Sequence, residues 1–277
     1  MNPSREPGQF EGREGYVVGG AERVEDKRKR QAARAVTAAR GGGGGSRGVI
    51  VGVALVVLLA LVVGFAVWAQ NHHKKGALPV AIPAVPAAGV QYPVAVQGDT
   101  IVTGSPPAPV TIDIYEDFMC PVCGQFEKLY RQRLEQAAAD GKAKVVYHPV
   151  NILKDYSVPP GYSTLAAGSA FCAAQAGIFP RFHDSLFEHQ PTEDGPGWTV
   201  ANLQQLGHYL GASDGFGRCV QAGAQQRIDT STENASRYIR ALEPDHQFGT
   251  PTVLVNGKLI KITDKNWLTQ ALNGARR

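Results

Sequence analysis

The feature that most constrains this chain is a pair of cysteines between an apolar run and an amphipathic run. Residues 110–115 (VTIDIY) have the composition of a strand, and residues 118–123 (FMCPVC) come after them with two residues between. Residues 126–139 have the apolar spacing of a helix. A strand, a C-x-x-C pair and a helix in this order indicate a redox-active site.

The position of the pair relative to the helix explains the expected chemistry. If Cys120 lies at the helix N-terminus, free backbone N–H groups and the positive end of the helix dipole stabilise a thiolate there. The pKa of Cys120 is then lowered, and Cys120 becomes the attacking sulfur. Pro121 suits the first helical position because it has no N–H to leave unpaired. Cys123 follows one turn later, where it can close a disulfide with Cys120.

The C-x-x-C motif has two other uses, a structural disulfide and half of a zinc site. Zinc would need two further ligands close by. The remaining cysteines, Cys172 and Cys219, are far apart and do not form a second C-x-x-C pair. We therefore expect no metal, and no cofactor apart from the redox-active disulfide itself.

A second stretch, residues 248–258 (FGTPTVLVNGK), places Thr250 and Pro251 at the head of an apolar strand that ends in an Asn-Gly turn. Together with the C-x-x-C pair, it resembles the thioredoxin superfamily, and specifically the DsbA-like thiol oxidoreductases of the bacterial cell envelope. The resemblance implies that the peptide bond before Pro251 is cis and that Pro251 lies against the disulfide. It also implies that the Thr250 backbone faces outward, where a substrate chain can pair with it as an added strand.

The resemblance covers residues 92–277 and implies an α/β fold, thioredoxin-like, with an inserted helical subdomain at about 155–242. Strands are predicted at 94–96, 100–102, 110–115 and 144–150. Helices of the insertion are predicted at 163–176, 181–189, 199–210 and 213–240, and a last helix at 264–275.

The N-terminal part of the chain has a different composition. Residues 1–48 hold ten Lys or Arg against six Asp or Glu, which accounts for the net charge of +4, and we predict a disordered basic cytoplasmic arm. Residues 49–69 carry no charge and would form a helix about 31 Å long, enough to span a bilayer. Basic residues are concentrated before this predicted transmembrane helix, which places the N-terminus in the cytoplasm.

We therefore expect a single-pass protein of the bacterial cell membrane with its redox domain, at 92–277, on the outer side. The basic cluster at 27–30 then serves as a topology signal and a contact for anionic membrane lipid, and no nucleic-acid partner is expected. The alternative is a cleaved signal peptide, although the apolar run and the preceding arm are both long for one. Residues 70–91 are predicted to be a Pro/Ala-rich linker.

All four cysteines lie on the predicted outer side, where disulfides persist. Of three possible pairings, only Cys120–Cys123 with Cys172–Cys219 leaves the active pair intact. We expect Cys172–Cys219 to be a structural disulfide that contributes on the order of 4 kcal/mol by the chain-entropy model. Two buried free thiols are the alternative.

The sequence leaves the direction of electron flow open. In DsbA-like proteins a histidine often follows the active-site proline, but here that residue is Val122, so Cys120 should be less acidic than in the strongest oxidases. Thioredoxins carry a buried acid six residues before the first cysteine, where this chain has Ile114. Glu116 and Asp117 are the nearby acids that we expect to assist proton transfer to Cys123, with surface exposure as the alternative for both.

We expect an enzyme, a protein thiol:disulfide oxidoreductase that forms disulfide bonds in exported polypeptides with cysteines. The resemblance implies a membrane redox partner of the DsbB or vitamin K epoxide reductase type. The alternatives are a membrane-tethered thiol reductase or isomerase of the same fold, and a non-catalytic binder of exported chains.

Overall fold

A computed structural model of the chain describes residues 78–243 and 247–274; the predicted arm at 1–48 and the predicted transmembrane helix at 49–69 lie outside these ranges. No helix within the described ranges is both long and apolar enough to cross a membrane. The strands are β1 (Val94–Gln97), β2 (Thr100–Thr103), β3 (Val110–Glu116), β4 (Ala143–Pro149), β5 (Thr252–Val255) and β6 (Lys258–Leu259). The helices are α1 (Pro121–Ala139), α2 (Tyr162–Gln175), α3 (Phe179–Glu188), α4 (Val200–Tyr209), α5 (Asp214–Ala222), α6 (Gln225–Leu242) and α7 (Trp267–Gly274).

The six strands form one mixed sheet in the order β1-β2-β4-β3-β5-β6, and β3 is a central strand. It pairs in parallel with β4, and α1 provides the crossover connection that parallel neighbours require. It pairs in the antiparallel direction with β5, which sets Tyr115 opposite Thr252. Because β5 runs against β3, the start of β5 lies beside the end of β3, and residues just before β5 come close to those that follow β3.

Helix α1 packs on this sheet through one face. Phe126, Tyr130 and Leu134 recur every four residues and are all buried. The ring of Trp267 in α7 lies 5.2 Å from that of Tyr130, centroid to centroid, and closes over the same face. Helix α1 ends where Gly141 adopts a φ of 67°, a conformation that glycine accepts readily. This packing fixes the first turn of α1 against the end of β3.

Helices α2 to α6 form a block between β4 and β5, where the sequence predicts a helical insertion. One prediction within the block is wrong, because residues 213–240 form two helices rather than one. Gly223 adopts a φ of 71° and ends α5, and α6 begins at Gln225. The break packs closely on α2, since a Cβ added to Gly168 would lie 2.8 Å from that of Ala224. Helical periodicity continues across the glycine in the sequence and so does not locate the break.

The described part of the predicted linker, residues 78–91, has no helix or strand but contacts the helical block. Ile82 is buried in the core. The Val85 N–H donates to Ser185 Oγ at 3.1 Å, and the Val85 carbonyl accepts from Arg181 Nε at 3.2 Å. The described part of the predicted linker is thus attached to the helical block through Ile82 and Val85.

Candidate active site

Cys120 lies at the junction of β3 and α1. It is the N-cap of α1, with an extended backbone (φ −72°, ψ 116°), and Pro121 is the first helical residue. The Cys120 N–H donates to the Asp117 carbonyl at 3.0 Å, which closes a tight turn after β3. Cys120 and Cys123 are both buried free thiols, so the pair is in its reduced form.

The surroundings of Cys120 favour its thiolate. The pKa of Cys120 is lowered to about 6, chiefly by a hydrogen bond from Cys123, with smaller contributions from Thr250 and from the backbone N–H groups of Cys123 and Val122. Burial acts in the opposite direction. Cys120 therefore carries a substantial thiolate fraction at neutral pH, which is what a leaving group or nucleophile in thiol exchange needs.

Cys123 has the opposite character. Burial raises the pKa of the Cys123 thiol well above its ordinary value, and Cys120 and the negative charge of Glu116 raise it further. The pair is thus unsymmetrical: at neutral pH Cys120 holds the negative charge and Cys123 holds the proton. Cys120 is also the more accessible of the two, since 6% of its surface is exposed against 1% for Cys123.

Thr250 and Pro251 face Cys120 from the residues just before β5. The peptide bond between them is cis. The Cys120 Sγ atom lies 3.2 Å from the Thr250 carbonyl oxygen, to which the thiol donates. Within the described residues the buried Thr250 hydroxyl oxygen has no hydrogen-bond partner, and the Thr250 side chain lowers the pKa of Cys120. It is therefore free to donate to the sulfur once Cys120 has lost its proton.

Pro121 and Val122, the residues between the two cysteines, are exposed, and Val122 has 49% of its surface accessible. Neither side chain carries a charge or a hydrogen-bond donor. The contribution of Val122 to thiolate stability therefore comes from its backbone N–H alone.

Asp117 is fully buried and braces the turn that carries the pair. Its carboxylate accepts hydrogen bonds from the Met119 N–H at 2.8 Å, from the Leu153 N–H at 2.9 Å and from Ser163 Oγ at 2.6 Å. Burial raises the pKa of Asp117 to about 6, although the three hydrogen bonds act to lower it. Asp117 thus joins the turn to the helical block.

Glu116 is also buried, and it lies in a cluster of charged groups behind the pair. Its Oε1 atom is 3.0 Å from His183 Nε2, and Glu127 on α1 lies next to both. Burial acts to lower the pKa of His183, but Glu116 and Asp184 raise it well above its ordinary value. Burial raises the pKa of Glu127 to about 8. The cluster therefore holds a buried ion pair between His183 and Glu116 beside Glu127, whose raised pKa favours its protonated form.

Among the described residues, this cluster is the group that has suitable atoms for a metal ion. One ligand atom from each of Glu116, Glu127 and His183 lies within 4.8 Å of the others. Glu116 Oε2 and both oxygens of Glu127 are buried and have no hydrogen-bond partner among the residues that the structure describes. The redox cysteines are not part of this group.

Sequence reasoning did not identify Glu127, His183 or Gln190, whose side chain contacts the turn from the helical block. A signal existed for Glu127, because it follows Cys123 by four residues and so lies on the same face of α1. His183 and Gln190 reach the site only through tertiary packing, and no local pattern marks them.

Cys172 in α2 and Cys219 in α5 are joined by a disulfide. It links two helices of the block. Neither cysteine belongs to the redox pair, which keeps its two thiols free for exchange.

Comparison with known proteins places this fold in a family. Residues 96–273 match the family model described as thioredoxin. The serine/threonine-protein kinase PknE of Mycobacterium tuberculosis is 31% identical over 183 residues, which are 64% of this chain and 32% of the kinase. The chain thus spans about a third of the length of this curated relative.

Solved structures agree with the family match. MdbA, a thiol-disulfide oxidoreductase from Corynebacterium matruchotii, is 25% identical with a TM-score of 0.58, over 65% of this chain and 92% of that protein. Reduced DsbA from Mycobacterium tuberculosis is 25% identical with a TM-score of 0.50, over 64% of this chain and 98% of that protein. With the site geometry above, these matches show that the chain belongs to the thioredoxin family, as a DsbA-like thiol-disulfide oxidoreductase.

Proposed function

We propose that this protein is a disulfide oxidase that introduces disulfide bonds into exported polypeptides through Cys120 and Cys123. The observation that carries the proposal is the lowered pKa of Cys120, about 6, beside a Cys123 whose pKa is raised. A stabilised thiolate favours the reduced form of the pair, so the disulfide form readily accepts electrons from a substrate.

The reaction begins with the oxidised pair. A substrate thiolate attacks Cys120 Sγ, the bond between Cys120 and Cys123 breaks, and its electrons leave on Cys123, which takes up a proton. A second substrate thiolate then attacks the substrate sulfur of the mixed disulfide, and Cys120 leaves as the stabilised thiolate. The substrate gains a disulfide and the enzyme gains two electrons.

The groups around the pair support distinct steps. The raised pKa of Cys123 favours its protonation as it leaves. The charge of Glu116 contributes to the raised pKa of Cys123. We assign to Glu116 the role of passing this proton between Cys123 and the neighbouring side chains of His183 and Glu127. The Thr250 backbone, 3.2 Å from Cys120, is the proposed pairing site for the substrate chain on either side of its cysteine.

The setting of the reaction is part of the proposal. The charge-free run at 49–69 and the basic arm before it support a membrane anchor with the redox domain outside the cytoplasm. A net oxidant needs a partner that removes two electrons and two protons in each cycle. The family resemblance supports a quinone-coupled membrane protein in that role.

A reductase or isomerase is the second candidate, and Val122 is the observation that favours it. Because its side chain is neutral, the Cys120 thiolate lacks the additional stabilisation that a cationic neighbour would give. The degree to which the remaining groups stabilise the Cys120 thiolate decides whether the protein acts as an oxidase or as a reductase.

The test of the proposal uses the oxidised full-length chain and a reduced, unfolded protein that regains activity when its disulfides form. We expect the wild type to consume the substrate thiols and restore activity, and Cys120→Ser and Cys123→Ser to do neither, because neither variant can form the disulfide. With the oxidised form of the same substrate, Cys123→Ser should be trapped as a mixed disulfide: the Cys120 thiolate attacks a substrate disulfide, one substrate sulfur leaves as a thiolate, and no second cysteine releases Cys120. A Cys120→Ser variant as active as the wild type would overturn the proposal.

A further inference from the structure

Gln190 reaches from the helical block to the turn that carries the redox pair. It follows α3 by two residues and is half-buried. Its Nε2 atom donates to the carbonyl oxygens of Phe118, at 3.0 Å, and Cys120, at 2.9 Å. One side-chain amide thus holds two carbonyls of the same turn, and it comes from a part of the chain 70 residues away.

The structure also fixes Gln190 itself. Trp198, which is buried, donates from Nε1 to the carbonyl of the preceding residue, His189, at 2.9 Å. On the other side, the amide lies against Gly124 in the first turn of α1. A Cβ added to Gly124 would be 2.5 Å from Gln190 Oε1, closer than nonbonded atoms approach. The absence of a side chain at Gly124 therefore makes room for the Gln190 amide.

The two carbonyls that accept from Gln190 belong to the turn that leads into α1, and this turn sets the direction of the first backbone N–H groups of α1 relative to Cys120 Sγ. The backbone N–H groups of Val122 and Cys123 favour the thiolate only while they point at the sulfur. The Cys120 carbonyl accepts the N–H of Gly124 at 3.2 Å, an early hydrogen bond of α1, and it accepts the Gln190 amide as well. This carbonyl belongs to the peptide bond before Pro121, and the N–H groups of Val122 and Cys123 lie in the peptide planes that follow, so a change in its tilt would be passed on to them.

We infer that Gln190 is a positioning residue for the redox pair: by holding the carbonyls of Phe118 and Cys120, it keeps the N–H groups at the start of α1 directed at the Cys120 sulfur. Gln190 does not touch the sulfur and acts through the backbone. The inference rests on the proposed function in that it concerns the same pair, and it assigns to the helical block a direct part in setting the redox chemistry.

The experiment compares the full-length wild type with Gln190→Met, which keeps the length of the side chain but has no N–H to donate. Gln125→Met is the matched control, because Gln125 is an exposed glutamine in the same first turns of α1. The pKa of Cys120 is read from thiolate absorbance, with Cys120→Ser as the blank. The equilibrium of the pair with glutathione is measured in the same samples.

We expect Gln190→Met to raise the pKa of Cys120 and to shift the glutathione equilibrium toward the disulfide by about fivefold, the size of a lost hydrogen-bonding interaction. Gln125→Met should leave both unchanged. Gly124→Ala, whose Cβ displaces the amide, should shift both in the same direction, and the double variant should add little because the two substitutions break one contact.

An unchanged pKa and an unchanged equilibrium in folded Gln190→Met would overturn the inference and leave the oxidase proposal intact. If Gln190→Met does not fold, Gly124→Ala decides by the same two readings. A wild type that forms no disulfides in a substrate would instead refute the proposed function, while the pKa comparison would still report on Gln190.

Discussion

The Cys120 Sγ atom lies 3.2 Å from the carbonyl oxygen of Thr250, a residue 130 positions further along the chain. The antiparallel pairing of β3 with β5 creates this proximity, because it brings the start of one strand beside the end of the other. When protonated, the thiol donates to this carbonyl, and the Thr250 hydroxyl, which has no partner in the described part of the chain, favours the thiolate. The sheet therefore holds the proposed pairing site for a substrate chain, Thr250, next to the sulfur that exchanges with substrate in the proposed reaction.

The first prediction concerns the pH dependence of Cys120. Its pKa in the folded protein is lowered to about 6, so thiolate stabilisation of the reduced form is fully present above the ordinary thiol pKa and is lost as the pH falls through about 6. Alkylation of the reduced protein by iodoacetamide should reach half its maximal rate near pH 6. A midpoint near the ordinary thiol value would contradict the proposed electrostatics, and Cys120→Ser supplies the background rate.

The second prediction tests the Thr250 hydroxyl. Thr250→Val has the same shape but cannot donate to the thiolate, so the pKa of Cys120 should rise and its alkylation at pH 6 should slow by about threefold, as for one lost hydrogen bond. Thr263→Val, at an exposed residue, is the control. Equal alkylation rates in Thr250→Val and the wild type would show that the hydroxyl does not act on Cys120.

The third prediction concerns the buried cluster. Burial raises the pKa of Glu127 to about 8, so between its ordinary pKa and pH 8 the folded protein holds a proton that the unfolded chain has lost. The free energy of unfolding must therefore fall as the pH rises through this range. Glu127→Gln removes this titration, and the variant should lose less stability by pH 8, with a difference on the order of 2 kcal/mol.

Denaturant unfolding of the reduced proteins at pH 5 and pH 8 measures the effect. Glu233→Gln is a suitable control, since Glu233 is exposed. Parallel losses of stability in Glu127→Gln and the wild type would mean that Glu127 does not hold a proton in the folded protein. His183 faces Glu127 and has a raised pKa, so its contribution to the free energy of unfolding also falls as the pH rises. Glu127→Gln should therefore reduce the pH dependence of stability without abolishing it.

The fourth prediction separates stability from redox chemistry. The Cys172–Cys219 disulfide closes a loop with a sequence separation of 47 residues. Replacing both cysteines with Ala should lower the free energy of unfolding by up to about 4 kcal/mol. The alkylation profile of Cys120 should not change, because the disulfide joins α2 and α5, whereas the redox pair lies at the start of α1. A shifted profile would show that the disulfide also shapes the site.

Local patterns account for what the sequence could predict about the site. Cys120 at the helix start and Pro121 at the first helical position follow from short-range rules, and the apolar runs predict the strands that the sheet contains. The Thr250–Pro251 stretch required a family resemblance, because nothing near it in the sequence shows that it faces Cys120.

The remaining features depend on distant packing. Glu116 and Asp117 are buried because His183 and Ser163 arrive from the helical block, and the sequence alone left their exposure open. The break at Gly223 and the contact of Ile82 with the block are likewise set by neighbours far along the chain. Such contacts have no period and no motif, so only the tertiary structure reveals them.

The reduction potential of the Cys120–Cys123 pair tests the central claim most directly. The full-length chain is equilibrated in glutathione buffers of defined potential, and its free thiols are trapped and counted. A net oxidant should give a value of about −120 to −180 mV, as for known donors of disulfides. A value near about −270 mV, as for thioredoxin, would contradict the oxidase assignment and mark the protein as a reductant.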